Sequence, residues 1–377
     1  MSRDLLSWLE GQGDSMLAML QRLVELESPS TDKAAIDRLG IVFAEELAAS
    51  GAQVTHLPAD RHGDHVRAVA GDSSGDGQLL VLGHLDTVWE LGTLQAMPFR
   101  VENGIAYGPG TFDMKAGLVQ LVFALRALRE TNRKPRRITA LFNSDEEIGS
   151  ASSRPDIENE ARHSRAVLVL EPCLPDGSVK TFRKGVGVFE LHVKGRPAHA
   201  GLDHAKGVSA IEELSRQVQL LHQLTDHGRG VTLNVGTIRG GTRGNVVAGE
   251  AHAEIDLRVS TVADAEEIER KILGLRSILE GAELKVTGGI ERPPLERSAG
   301  VVDLYEKARG LAAELGFDLG EGSAGGSSDG NLTAALGVPT LDGLGPMGDG
   351  AHAESEHLVV SDLPRRTALL ARLLETL

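Results

Sequence analysis

The chain has 377 residues, of which 41% are apolar and 25% charged, with a formal net charge of −15. This length suffices for two domains with their own cores, and the acidic balance disfavours nucleic acids and anionic membranes as general partners. The single cysteine, Cys173, excludes a disulfide framework and a cysteine-rich zinc module, so a metal would need histidine and carboxylate ligands. No apolar run approaches the roughly 18 residues of a membrane span and no secretory signal pattern is present, so we expect a cytoplasmic protein.

The first part of the chain alternates helical and strand patterns. Apolar residues recur at helical spacing over 14–27 and over 114–129. Short apolar runs predict buried strands over 78–82, 138–142 and 166–170. Strands that alternate with helices indicate an α/β domain, here with a mainly parallel sheet and helices on both of its faces.

The pattern changes near Arg183. The elements predicted after it are a strand over 187–194, a helix over 208–224, strands over 231–239 and 246–259, a helix over 264–279 and a strand over 283–287. This βαββαβ order is that of a ferredoxin-like α+β unit. We therefore expect an inserted domain that comprises residues 184–292.

After two consecutive prolines, the chain returns to α/β character. Helices are predicted over 301–315, after Asp329 and over 363–374, and a short strand over 339–341. Candidate metal ligands occur both before and after the insertion. Residues 1–183 and 293–377 should therefore form one discontinuous catalytic domain.

Two histidines and three carboxylates lie near the ends of successive apolar segments. They are His84, Asp113, Glu147, Glu171 and His352. Open α/β sheets carry their sites at the carboxyl ends of the strands. This set predicts a two-metal hydrolase centre, and its ligand types suit zinc, with cobalt or manganese as substitutes.

Each candidate also has an ordinary structural explanation. His84 and Asp86 form a plausible strand-end pair, in which the aspartate either caps the strand end or orients a ligating ring. Asp113 precedes a predicted helix, where aspartate is a favoured N-cap; alternatively, it bridges two metals about 3.5–4 Å apart. Helix capping and metal bridging require the same carboxylate oxygens.

The remaining acidic and histidine candidates can be explained in two ways as well. Glu146 and Glu147 either belong to a solvated acidic turn or divide their roles, one coordinating a metal and the other addressing a water. Glu171 closes a nearly all-apolar strand, so a carboxylate there needs a partner. His357 competes with His352 as the last ligand, and we prefer His352 because glycines flank it.

The motifs Gly-His-Leu-Asp-Thr-Val, Gly-Thr-Phe-Asp-Met-Lys-Ala-Gly, Asp-Glu-Glu-Ile-Gly-Ser and Glu-Pro occur in this order. In this the chain resembles the aminoacylase and carboxypeptidase family of co-catalytic zinc amidohydrolases, most closely its glutamate carboxypeptidase branch. The resemblance covers nearly the whole chain, and it implies two zinc ions per subunit. Asp113 would bridge the two ions, with His84 and Glu171 on one and Glu147 and His352 on the other. Asp86 would orient His84.

The same resemblance gives Glu146 the role of general base. It would take a proton from the bridging water and pass it to the leaving amine. In relatives, a histidine of the inserted dimerisation or lid domain reaches the partner subunit's active site and stabilises the oxyanion. His199 in Gly-Arg-Pro-Ala-His-Ala-Gly would do so here, which implies a homodimer; an exposed loop histidine is the competing explanation.

The resemblance also suggests substrate-binding residues. Asn245 and Arg258 match the family's spacing and are candidates for holding substrate carboxylate or carbonyl groups, although Arg258 could equally form an ion pair on the sheet surface. Arg292 is a further candidate for a substrate carboxylate. Gly326 and Ser327 lie in a glycine-rich loop whose amides could bind a carboxylate, or which could be a plain turn capped by the following aspartate.

The sequence therefore predicts a zinc-dependent exopeptidase or amidohydrolase. It would cleave an amide bond next to a free carboxylate, releasing C-terminal glutamate from peptides or N-acyl-glutamates. A second possibility is a deacylase of N-acyl amino acids, of the acetylornithine or succinyl-diaminopimelate type, or a dipeptidase. A third, from a different class, is a metal-free binding protein on the same fold.

Overall fold

A computed structural model describes residues 2–71 and 77–377. Within these residues the helices are α1 (Ser2–Glu10), α2 (Gly13–Val24), α3 (Lys33–Ala49), α4 (Ala116–Glu130), α5 (Arg154–Arg162), α6 (Ala210–His222), α7 (Val262–Leu273), α8 (Ala299–Glu314), α9 (Gly330–Ala335) and α10 (Leu363–Thr376). The strands are β1 (Gln53–Leu57), β2 (His65–Ala70), β3 (Gln78–His84), β4 (Arg100–Glu102), β5 (Ile105–Tyr107), β6 (Ile138–Asn143), β7 (Ser164–Val169), β8 (Val179–Arg183), β9 (Gly185–Lys194), β10 (Thr232–Gly240), β11 (Glu250–Val259), β12 (Glu283–Arg292), β13 (Glu321–Ala324), β14 (Thr340–Leu341), β15 (Gly348–Asp349) and β16 (His357–Val359). In the described ranges, no helix has the length and apolar character that a membrane crossing requires.

The chain divides into two compact units. The first comprises the described residues of Met1–Phe182 together with Arg297–Ala324 and Ser328–Leu377. The second comprises Arg183–Glu296 and Gly325–Ser327. Each unit has its own apolar core.

The first unit is built on a mainly parallel sheet with strand order β1-β2-β6-β3-β7-β14. Strands β6, β3, β7 and β14 run parallel, and β2 runs antiparallel to its neighbours. Residues of β3 alternate between the two faces. Leu79 and Val81 join the core that contains α4 and α10, whereas Leu80 and Leu82 pack with α5 and α9. The predicted α/β architecture with helices on both faces is thus confirmed.

The second unit is a four-stranded antiparallel sheet in the order β10-β11-β9-β12. Its chain order, β9-α6-β10-β11-α7-β12, is the predicted ferredoxin-like βαββαβ. Strand β9 alternates buried and exposed residues. Phe189 and Leu191 pack against the two helices, and the opposite face of the sheet has no helix among the described residues of this unit.

Several boundaries differ from the sequence-based expectation. The predicted helix over 114–129 begins at Ala116, because Asp113 and Met114 have non-helical backbone angles. The strand predicted over 246–259 begins only at Glu250, and the helix predicted over 264–279 ends at Leu273. Helices α1, α3 and α5 and strands β1, β2, β4, β5, β8, β13, β15 and β16 were not predicted. The strands of two or three residues among them carry almost no periodic signal.

Candidate metal centre

Three neighbouring parallel strands end at one edge of the main sheet. His84 is the last residue of β3, and it lies opposite Asn143, the last residue of β6. The 3₁₀ turn Glu146–Ile148 follows β6, and Glu171 lies two residues beyond the end of β7. The carboxyl ends of parallel strands meet at one edge, so a histidine and three carboxylates converge there.

The absence of a side chain at Gly83 allows close packing beside His84. A Cβ atom at Gly83 would lie 2.6 Å from Cε of Met114 and 2.8 Å from Cε1 of Phe142. The Met114 sulfur instead packs close enough to accept a hydrogen bond of 3.2 Å from the backbone N–H of His84. The glycine of the Gly-His motif therefore makes room for the segment that carries Asp113.

Asp113 and His352 reach the site on two loops that a small antiparallel sheet connects. This sheet has the order β15-β16-β5-β4. Strand β5 leads towards Asp113, and the turn between β15 and β16 carries His352, whose φ of 62° is left-handed. Pairing of His357 in β16 with Tyr107 in β5 fixes the two loops side by side.

The Asp113 carboxylate lies between two groups of candidate ligands. One oxygen, Oδ1, is 3.2 Å from Nε2 of His84, which is also 3.4 Å from Oε1 of Glu171. The other oxygen, Oδ2, is 3.6 Å from Nε2 of His352, which is 3.1 Å from Oε2 of Glu147. Both oxygens therefore face histidines, and helix α4 begins beyond this residue, which is the arrangement expected for bridging and not for helix capping.

The acidic turn after β6 and the two histidines near residue 352 have distinct surroundings. The turn is not solvated, because Asp145 is fully buried and accepts hydrogen bonds from the backbone N–H and hydroxyl of Ser152 and from the hydroxyl of Ser153. His357 lies in β16 with its ring against Tyr107. Its neighbour His352 is the histidine that contacts the acidic cluster.

The cluster holds an excess of negative charge in a largely buried place. Burial, and then repulsion from Asp113, raises the pKa of the Glu147 carboxyl, although the contact with His352 lowers it. The contact with Glu147 in turn raises the pKa of His352 to about 9. Burial opposes a charge on His84, yet its contacts with three carboxylates raise its pKa well above the usual value. Both histidines thus compensate carboxylates that a cation would satisfy better.

The donor set fits a metal. One ligand atom each from His84, Asp113 and Glu147 lie within 4.8 Å of one another, as do those of His84, Glu146 and Glu171. Oε1 of Glu147 is buried and has no hydrogen-bond partner among the described residues. A buried carboxylate oxygen needs a partner, and imidazole with carboxylate is a donor set suited to zinc.

Asp86 is buried behind His84 and contacts two parts of the site. Its backbone carbonyl lies 2.9 Å from Nδ1 of His84, and its carboxylate lies 3.5 Å from the same nitrogen. The carboxylate accepts hydrogen bonds from the backbone N–H groups of Glu146 and Glu147 and from the hydroxyl of Ser30. The residue therefore orients the His84 ring mainly through its carbonyl and holds the Glu146–Glu147 turn through its carboxylate.

Glu356 is a residue of the site that the sequence pattern did not reveal. It is fully buried, and its carboxylate accepts hydrogen bonds of 2.9–3.0 Å from the backbone N–H groups of Gly110, Phe112 and Asp113. A fourth hydrogen bond, of 2.7 Å, comes from the indole of Trp89. The two loops of the site are thus fastened by contacts that span more than 240 residues, a separation at which the sequence offers no local signal. The only indication in the sequence that Glu356 belongs to the site was its position in the acidic Glu-Ser-Glu segment beside His352.

The second unit contains the other predicted residues. Backbone pairing of His199 with Val246 and a 3.0 Å hydrogen bond from Ala200 N–H to the Asn245 carbonyl bring the His199 and Asn245 loops together. The ring of His199 is exposed, and its Nδ1 accepts hydrogen bonds from the N–H groups of the residues at 201 and 202. In the neutral ring the proton is therefore on Nε2, which leaves that atom as a donor.

The remaining substrate-binding candidates are buried or already in contact with other groups of the protein. Arg258 forms a bidentate ion pair with Asp256, with both N–O distances 2.8 Å. Arg292 is buried in the last strand of the unit. The backbone carbonyls of Gly326 and Ser327 face the guanidinium of Arg183 at 3.3 Å.

The alternative explanation of the glycine-rich loop, a turn capped by Asp329, is wrong. Asp329, the next aspartate along the chain, makes no side-chain cap to α9. Its carboxylate accepts a 2.7 Å hydrogen bond from the Asn143 amide and another from the Ser150 hydroxyl. Asp329 therefore stabilises the carboxyl end of β6 and not the start of α9.

Replacing Glu356 with glutamine should loosen the Asp113 loop. An amide group presents an N–H where the carboxylate accepts, so at least one of the four hydrogen bonds is lost. We expect hydrogen exchange at the amides of Gly110, Phe112 and Asp113 to accelerate about ten-fold or more, since a hydrogen bond to a buried charge contributes about 1.5–3 kcal/mol. Glu354→Gln, an exposed neighbour, is the control. Unchanged exchange in Glu356→Gln would refute the fastening role.

Comparison with known proteins identifies the family. Residues 80–376 match Peptidase family M20/M25/M40. Carboxypeptidase G2 of Pseudomonas sp. (strain RS-16) is 31% identical over 370 residues, which cover 96% of this chain and 88% of that protein. Succinyl-diaminopimelate desuccinylase of Leptothrix cholodnii is 29% identical over 388 residues, covering 96% and 98%.

Solved structures share the fold across the whole chain. Aminopeptidase PepT from Bacillus cereus superposes with a TM-score of 0.75 at 22% identity, over 96% of this chain and 98% of that one. The M20 family metallo-carboxypeptidase Sso-CP2 from Sulfolobus solfataricus gives a TM-score of 0.73 at 18% identity, with the same coverage. The convergence of the ligands, the two-unit fold and the sequence match agree, and the chain belongs to Peptidase family M20/M25/M40, a family of hydrolases.

Proposed function

We propose that this protein is a two-metal exopeptidase that hydrolyses an amide bond beside a free carboxylate and releases C-terminal glutamate from peptides or N-acyl-glutamates. The observation that carries the metal-dependent reaction is the Asp113 carboxylate, whose two oxygens face His84 and His352. Similarity to carboxypeptidase G2, which extends over 96% of the chain, supports the carboxypeptidase reaction. The preference for glutamate rests on the resemblance of the sequence motifs to the glutamate carboxypeptidase branch.

A second candidate function is deacylation of an N-acyl amino acid. Several relatives of 27–30% identity are succinyl-diaminopimelate desuccinylases. Both reactions cleave an amide next to a carboxylate, so the same centre would serve either. Fold similarity to aminopeptidase PepT is too distant in sequence to favour a dipeptidase or aminopeptidase reaction.

We infer that five residues hold two divalent cations, which are zinc in the simplest case. Asp113 would be shared between them, His84 and Glu171 would complete one site, and Glu147 and His352 would complete the other. When bound, such ions polarise a carbonyl oxygen and lower the pKa of water. The same donor set argues against a metal-free binding protein, because four crowded carboxylates repel each other unless cations compensate them.

Glu146 is the proposed general base. A carboxylate oxygen of this residue lies in the group with His84 and Glu171, within 4.8 Å of their ligand atoms. From there it would accept a proton from the attacking water and then donate it to the nitrogen of the leaving amine. Asp86 would keep it in position, since the Asp86 carboxylate accepts the Glu146 backbone N–H.

His199 is the proposed donor to the oxyanion. Its Nδ1 is engaged by two backbone N–H groups, so Nε2–H is the group that would point at the substrate oxygen. We propose that it acts on the partner subunit of a homodimer. Asn245, beside it, would hold the substrate, together with Arg258 or Arg292. A substrate carboxylate would have to compete with Asp256 for Arg258.

Separate replacement of Glu146 and Glu147 should distinguish a role in proton transfer from a role in metal binding. We expect Glu146→Gln to retain both metals and to lose about 100- to 10,000-fold in kcat, the usual contribution of a general base. Glu147→Gln, its matched control one residue away, should lose metal. The measurements are metal content after dialysis and steady-state kinetics. An active Glu146→Gln enzyme, or one that has lost its metals, would reject the assignment.

Removal of His199 should reduce turnover without affecting the metals. We expect His199→Ala to lower kcat about 100- to 1,000-fold, as loss of an oxyanion donor does. His204→Ala, an exposed histidine of the same unit, should remain active. Mixing His199→Ala with Glu146→Gln subunits tests action across the dimer, because only a trans arrangement gives one complete site. Mixed protein no more active than its parents excludes it.

A substrate panel tests the reaction itself. We expect kcat/KM to be highest for N-acyl-glutamates and peptides that end in glutamate. Their C-terminal amides should be about 10- to 100-fold poorer, because a buried group that recognises the carboxylate would lose its charged partner. N-succinyl-diaminopimelate and N-acetylornithine are the comparison substrates. Higher kcat/KM for either of these would replace the exopeptidase assignment by that of a deacylase.

A further inference from the structure

The exposed face of the second unit's sheet carries a compact group of potential metal ligands, Glu190, His192 and His252. Nε2 of His192 lies 3.0 Å from Oε2 of Glu190, and Nε2 of His252 lies 3.8 Å from the same oxygen. One ligand atom of each residue lies within 4.8 Å of the others. We propose that these three residues bind a divalent transition metal such as zinc, separately from the catalytic centre.

The sheet itself sets this geometry. Glu190 and His192 are two residues apart on β9, so their side chains share a face. His252 on β11 is the direct cross-strand partner of His192, and the two rings lie 4.5 Å apart between centroids. Because β9 and β11 are the two central strands, the three side chains are mounted on the most constrained part of the unit, and a metal would need little reorganisation to bind.

The ligand separations suit tetrahedral coordination. Zinc bonds of about 2.0–2.2 Å to nitrogen and oxygen place two tetrahedral ligands about 3.3–3.6 Å apart. The observed distances of 3.0 and 3.8 Å lie on either side of this range. Two imidazoles favour zinc, copper or nickel over magnesium or calcium. A cavity of about 700 Å³, lined by His192 and His252 among others, leaves room for a fourth ligand such as water.

The charges around the group are mixed. The hydrogen bond from His192 lowers the pKa of Glu190, which keeps the carboxylate ionised and ready to coordinate. Glu254 lies opposite Glu190 on β11 and adds negative charge. Arg239 and Lys285 are cross-strand partners of His252 and His192 and oppose a cation. We therefore expect weaker binding than at the proposed catalytic centre, and a metal that links the two central strands.

Metal counting on the whole protein tests the proposal. The protein is dialysed against micromolar zinc, and bound zinc is measured by elemental mass spectrometry. Wild type should bind one equivalent more than His192→Ala, His252→Ala or Glu190→Gln. These residues lie outside the proposed catalytic machinery, so the variants should keep wild-type turnover. His222→Ala, an exposed histidine on α6 of the same unit, should bind as much as wild type.

Thermal unfolding supplies a second measurement. The effect of the catalytic metals is common to all variants, so the difference between variants reports the second site. Added zinc should raise the melting temperature of wild type and His222→Ala beyond the rise seen in His192→Ala and His252→Ala. Magnesium should produce no such difference. Equal zinc content and equal melting shifts in wild type and the three ligand variants would overturn the site, whatever the outcome for the catalytic centre.

Discussion

The candidate metal centre depends on the position of the Asp113 carboxylate. Its oxygens face two histidines that lie on opposite sides of it, and each histidine contacts a further glutamate. A single carboxylate that serves two groups must be held accurately, because a shift towards one group withdraws it from the other. The rest of the first unit can be understood as the structure that holds this residue in place.

Three structural features position Asp113 and the groups around it. The parallel sheet delivers His84 and the glutamates at one edge, the small antiparallel sheet sets the Asp113 and His352 loops side by side, and Glu356 fastens the first loop through three backbone N–H groups. Burial raises the pKa of the Glu356 carboxyl, and the hydrogen bonds from these N–H groups offset only part of that rise. Backbone donors thus stabilise the supporting carboxylates Glu356 and Asp86. In our proposal, metal ions would balance the charge of the carboxylates at the centre itself.

The second unit follows different physical rules. Its sheet buries one face against two helices, and no helix among the described residues of this unit covers the other face. Polar side chains on that face are therefore available for functional roles. The proposed oxyanion donor His199 is on a loop whose backbone is tied to Asn245, while the proposed second metal group is on the central strands. A loop allows the proposed oxyanion donor to extend towards a substrate, whereas the central strands hold the proposed metal ligands rigidly.

The sequence by itself determined the fold class, because apolar periodicity and strand–helix alternation are local properties that report burial directly. It also singled out the histidines and carboxylates of the centre, since their motifs are contiguous. It did not determine that Asp113 lies between two ligand groups, that Asp86 contacts His84 mainly through its carbonyl, or that Glu356 belongs to the site. Those facts depend on contacts between residues up to 267 positions apart, and such contacts are set by packing and strand register, which only the tertiary structure decides.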